Sequence, residues 1–154
     1  CRKADDMLRL TGKILSGHWD PQKDFVGHIG GDDFIILFQS EDWEQRCRAI
    51  IDAFVAAVPD FYCVEDRKKG GYISEDRRGK QVFHTLATIS LGLVKVEPGH
   101  YGSHHQIATA TADAKKQAKK IPGNSLFIDR RLGPYAMEKQ NDDDAAQELA
   151  APVI

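Results

Sequence analysis

Two apolar runs, Phe25 to Ile29 and Phe34 to Phe38, are separated by Gly30-Gly31-Asp32-Asp33 in the stretch "FVGHIGGDDFIILF". This arrangement restricts the fold more than any other part of the chain. Short glycine-containing loops between β-rich runs form hairpins, because glycine accepts the positive φ angles that tight turns demand. The chain must therefore build at least one antiparallel pair and carry two adjacent carboxylates near its tip. Such a pair suits either a solvated turn or a metal-phosphate site. Hard oxygen ligands are what Mg²⁺ takes, alongside phosphate oxygens. Bare glycine backbone also lets phosphate oxygens approach N–H groups closely.

The surrounding segments alternate in period. Met7, Leu8, Leu10, Thr11, Ile14 and Leu15 share a helical face that ends at Ser16-Gly17. After the hairpin, Ser40 is placed to cap a helix whose apolar face is Trp43, Cys47, Ile50, Ile51, Phe54, Val55 and Val58, with Pro59 after its end. "EDRKKGGYISEDRRGK" reads as two polar turns around a short Tyr72-Ile73 strand, and "VFHTLATISLGLVKV" as one long central strand. Ser103 and Gln106 form a capping box for a last helix, with Ile107, Ala110, Ala114, Ala118 and Ile121 on its buried side. Pro122-Gly123 stops it, and "SLFID" is a final strand. Strands paired by hairpins, with helices able to cover one face, predict an α+β sandwich with a mainly antiparallel sheet. Residues 1–133 form the expected domain, and 134–154 a loosely attached tail.

A net charge of -2 with 29% charged residues excludes a generally basic nucleic-acid binder. No apolar run reaches the roughly 20 residues of a membrane helix. The start lacks both an initiator Met and a signal-peptide core, so a fragment of a longer polypeptide is expected. Cys1, Cys47 and Cys63 have no metal-like spacing and are expected as free, buried thiols in a reducing, cytoplasmic compartment. His100, His104 and His105 read as solvated loop residues rather than a zinc site. Trp19 and Trp43 read as packing residues. Arg67, Lys68, Lys69, Arg77 and Arg78 read as turn residues or a docking surface for a neighbouring domain.

Four blocks together resemble GGDEF domains, the diguanylate cyclase family: "GHIGGDDFIILF", "ADDMLRLTGKIL", "TISLGLV" and "ADAKKQAKKIPGN". They occur in the family's order over about residues 4 to 128. "DFVGHIGGDDF", "EDRKKGGY" and "AKKIPGNS" look most like GGDEF domains joined to EAL phosphodiesterase domains. The resemblance implies condensation of two GTP molecules into cyclic di-GMP with release of pyrophosphate. It also implies Mg²⁺ or Mn²⁺ as cofactor and a transient homodimer that brings two nucleotides together.

By resemblance, Asp32 takes the metal-binding and catalytic acidic position, and Asp33 that of the family's Glu. Gly30 and Gly31 leave room for phosphates, Asp5 matches the Asp that bonds guanine, and Lys119 matches the Lys that contacts the terminal phosphates. Asp33 is one methylene shorter than Glu, Gly123 stands where the family has a phosphate-binding Arg, and only Asp24 survives of the RxxD feedback motif. The family's first strand, with a metal-binding Asp, and the guanine-binding Asn that follows it would precede Cys1. The 154-residue chain is therefore expected to make no cyclic di-GMP by itself. Within a longer GGDEF/EAL polypeptide, a weakly active or GTP-binding regulatory domain is expected. The alternative is a dimerisation or interaction module that has lost nucleotide binding.

Overall fold

A computed structural model describes residues 2–131. Cys1 and the expected tail lie outside the described residues. The described chain is of mixed α+β type and divides into two compact units, which meet between Ile89 and Ser90 in sequence. Among the described residues no helix is long and apolar enough to cross a membrane.

The first unit begins with helix α1 (Arg2–Gly17), whose strong amphipathic pattern buries Ile14 and Leu15. Thr11 turns its hydroxyl back to the Met7 carbonyl at 2.9 Å, and the His18 ring meets the Ile14 carbonyl at 2.7 Å. The second contact satisfies one of the carbonyls a helix end leaves without partners. Strands β1 (Phe25–Gly30) and β2 (Asp33–Leu37) form the expected antiparallel hairpin, with Phe25 opposite Leu37 and Gly30 opposite Asp33. Helix α2 (Trp43–Ala57) packs on α1 and buries Cys47, Ile50 and Phe54, and a 3-10 turn (Val58–Phe61) adds Val58 to this core. Full burial of a side chain such as Ile50 contributes about 1.5–3 kcal/mol. Helix α3 (Val64–Lys69) then leads into a second antiparallel hairpin, β3 (Gly71–Glu75) with β4 (Gln81–Thr85).

The second unit is a β-α-β arrangement: β5 (Ser90–Val94), α4 (His104–Lys120) and β6 (Ser125–Asp129), with the two strands parallel and adjacent. The capping box at Ser103 forms, and Ser103 Oγ accepts the Gln106 N–H at 3.4 Å. The reciprocal bond runs from the Gly102 N–H to Gln106 Oε1, one residue earlier than the simple pattern. Gly92 brings helix and strand together, since a Cβ there would lie 2.3 Å from the Lys115 backbone nitrogen. Small residues complete this close approach: Ala114 and Ala118 are fully buried. Ser125 Oγ donates to the Ala118 carbonyl at 2.8 Å, tying the start of β6 to the helix end.

Several local expectations are corrected. The run from Val82 to Val96 is two strands rather than one: β4 pairs with β3, β5 pairs with β6, and residues 86–89 are not strand. Among the described residues the strands make three two-stranded sheets, two antiparallel and one parallel, in place of one mainly antiparallel sheet. The first of the two polar turns is helix α3. Ser40 does not cap α2, because Asp42 holds the cap position and the Ser40 hydroxyl is engaged elsewhere. Cys63 is exposed, and so are Val55 and Ile121, each at the edge of a helical face whose centre is buried.

Candidate functional site

The tip of the β1–β2 hairpin carries the two glycines and two carboxylates. Gly30 and Gly31 have φ values of 150° and 57°, conformations that disfavour side chains with a Cβ. Nothing lies within 4 Å of where a Cβ would be at either position, so the space above both peptides is open. The register shifts between His28 and Gly30, a bulge that bends β1 at its last residues. Strand β2 starts at Asp33, so the two carboxylates fall on different backbone: Asp32 in the exposed turn, Asp33 half-buried in the strand. That change of direction removes the strict opposition of faces expected of neighbouring strand residues.

Two side chains missed by sequence reasoning hold this tip in place. His28 reaches around the turn, and its Nε2 lies 3.0 Å from the Gly31 carbonyl. A carbonyl only accepts, so Nε2 carries the proton in this contact. The same ring stacks on Phe34 with centroids 4.6 Å apart, and Phe34 in turn reaches α1 at Gly12. A histidine three residues before the second glycine, with an aromatic three residues after it, is the local signal for this latch.

The other end of the hairpin is closed by Asp24, which directly precedes β1. Its carboxylate accepts from the backbone N–H groups of Asp20, Gln39 and Ser40 at 2.9, 2.9 and 3.0 Å, and from Ser40 Oγ at 2.9 Å. Burial alone would push the Asp24 carboxyl up; the donors from Asp20, Gln39 and Ser40 together outweigh it and hold the group below the ordinary carboxylate range. Asp24 is thus a structural bracket between the entry and exit of the hairpin. The shallow cleft beside it, lined in part by Lys23, Asp42 and Arg46, is not the hairpin tip. Its Asp42 and Arg46 are already paired at 2.8 Å, which lowers the Asp42 carboxyl.

The remaining expected residues occupy separate places. Asp5 is exposed in the first turn of α1, about 10 Å along the helix from Gly12 at 1.5 Å per residue. Lys119 is exposed in the last turn of α4, in the second unit. Gly123 has φ 79°, so an arginine introduced there would adopt a strained conformation. The site expected from sequence therefore has one part assembled within a single hairpin, Gly30 to Asp33, and two parts on other elements.

No group of three or more His, Cys, Asp or Glu side chains suited to a metal ion occurs among the described residues. Asp32 and Asp33 alone do not make a closed protein cage. The donor set fits an ion such as Mg²⁺, which keeps waters and shares one or two carboxylates with phosphate oxygens. His104 and His105 face each other with ring centroids 4.0 Å apart, and His100 lies 3.6 Å from Glu97. No family model matches this chain, and neither the curated proteins nor the solved structures contain a match to it.

Proposed function

We propose that this chain is a GGDEF-type domain that binds GTP with Mg²⁺ or Mn²⁺ at the Gly30–Asp33 tip. It would serve cyclic di-GMP signalling inside a longer GGDEF/EAL polypeptide, as a weak diguanylate cyclase or a GTP-binding regulator. One observation carries the reading: two successive positive-φ glycines, with open space above them, lead directly into Asp32 and Asp33 at an exposed hairpin tip. A solvated turn needs glycine only where φ is positive. It has no need of a histidine latch at the tip and a buried carboxylate bracket at the base, both of which support a fixed tip geometry.

In this reading the tip backbone accommodates the phosphates, and Asp32 and Asp33 hold the metal ion. The bound ion would neutralise phosphate charge, the main requirement of phosphoryl chemistry. Asp5 would select guanine and Lys119 would meet the terminal phosphates, as the resemblance implies. Asp33 reaches less far than a glutamate, which favours the regulatory form over fast turnover.

Titration of the chain with GTP and Mg²⁺ tests this. Asp32→Asn should weaken binding about 10-fold or more, the equivalent of one lost charge-assisted interaction. Absence of binding at millimolar GTP, or unchanged binding by Asp32→Asn, overturns the proposal. Chromatography for cyclic di-GMP, on a longer polypeptide that carries the expected first strand, then separates enzyme from regulator. A second reading, an interaction module without nucleotide binding, is favoured by Phe25 and Leu37. These cross-strand partners are each 55% exposed on the same hairpin. The same titration decides between the two.

A further inference from the structure

The second hairpin, β3–β4, is a sheet of two strands in which β4 pairs with β3 alone. We infer that the β4 edge is a self-pairing surface, through which two copies of the chain join antiparallel about a two-fold axis at Phe83.

The direction of the free backbone groups follows from two bonds at the ends of the hairpin. Leu86 N–H donates to the Gly70 carbonyl and Asp76 N–H to the Lys80 carbonyl, at 3.2 and 2.9 Å. With the register Tyr72↔His84 and Ser74↔Val82 between them, the even-numbered residues of β4 face β3. The N–H and C=O groups of Gln81, Phe83 and Thr85 therefore point outward, and all three residues are exposed. The next residue in that row, Ala87, donates to Tyr62 Oη at 3.1 Å, which closes the edge at Thr85.

This edge lacks the usual guards. From Gln81 to Thr85 there is no charged residue and no proline, and the register runs without a bulge. A hairpin of two strands is itself marginal, and further strands stabilise it. Pairing about Phe83 sets Phe83 opposite its copy and Gln81 opposite Thr85 of the other chain, twice. Each of these pairs exchanges two backbone bonds. The exposed Ile73–Phe83 pair, at 61% and 53% exposure, then becomes one half of a four-residue apolar row across the new sheet. No like charges meet.

The β3 edge differs. It carries charge that the β4 edge lacks: Glu75 lies within β3, and Arg67, Lys68 and Lys69 end the helix that leads into it. Association through β4 alone consumes both β4 edges and so closes at a dimer. A five-residue edge buries far less than the standard interface of about 1,600 Å², so the dimer is weak, with a dissociation constant above about 10 µM.

Sedimentation equilibrium of the 154-residue chain from about 10 µM to 1 mM reads this directly. The wild-type chain should pass from monomer to dimer. Gln81→Lys with Thr85→Lys places lysines opposite one another at both ends and should weaken the dimer at least about tenfold. Gln81→Glu with Thr85→Lys turns the same pairs into opposite charges and should restore it. Circular dichroism establishes that each variant keeps the fold. Asp32→Asn should dimerise like wild type, so failure of the nucleotide reading leaves this result distinct. A wild-type chain that stays monomeric, a Lys/Lys variant that dimerises unchanged, or a Glu/Lys variant no better than Lys/Lys each overturns the proposal.

Discussion

Replacing Asp24 by alanine removes the acceptor at which the entry and exit of the β1–β2 hairpin meet. Three donors at the exit lose their partner: the N–H groups of Gln39 and Ser40 and the Ser40 hydroxyl, with Ser40 only 6% exposed. Hydrogen bonds to a charged group contribute about 1.5–3 kcal/mol each, but water recovers part of this at the adjoining cleft. A net loss of about 3 kcal/mol follows, within the range of a broken buried network. With a urea slope of about 1.5 kcal/mol per M, the unfolding midpoint should fall by about 2 M. Trp19 and Trp43 belong to the same unit and report the transition by fluorescence. Asp24→Asn keeps the shape but sets an amide N–H₂ against donors, and should cost about 2 kcal/mol. The carboxyl is held below its ordinary value of 3.8, so the folded state binds its proton less readily than the unfolded state. Its contribution is therefore present above pH 3.8 and lost as pH falls through the lower folded value. The gap between wild type and Asp24→Asn should narrow as pH falls below 3.8. A midpoint shift under about 0.3 M for Asp24→Ala would refute the bracket role.

Gly92→Ala should destabilise the second unit by about 2 kcal/mol or more, read by a urea titration followed by far-UV circular dichroism, because its Cβ would meet the α4 backbone at Lys115 and Ala114 rather than a movable side chain. Cys47, whose thiol burial pushes up to about 12, should resist a thiol reagent in the native chain, whereas exposed Cys63 reacts; peptide mapping distinguishes them. Above about pH 9 the unfolded Cys47 ionises while the folded one does not, so stability should decline there, and Cys47→Ala should lose that part of the decline.

Local chemistry determined much of this protein in advance. Positive φ at Gly30 and Gly31 and the β-rich residues around them specify a hairpin through contacts a few residues apart, and the hairpin forms as read. The Ser103 cap and the helical faces around Ile14 and Ile50 follow in the same way, because helical periodicity is a short-range property. Pairing partners are different. The run from Val82 to Val96 has one continuous β propensity, yet its halves join different sheets, since β3 and β6 lie elsewhere in sequence and propensity cannot say which strand comes alongside. Ser40 has a good capping residue's chemistry, but an aspartate sixteen residues earlier offers its hydroxyl a buried charged acceptor, and that bond prevails. The His28 latch and the Asp24 bracket belong to the same class: each residue type is plain in the sequence, and only the closed hairpin brings its partner within reach. Sequence thus set which backbone could turn, cap and alternate, while tertiary structure chose the partners, because hydrogen bonds and burial between distant residues depend on a geometry that no local window contains.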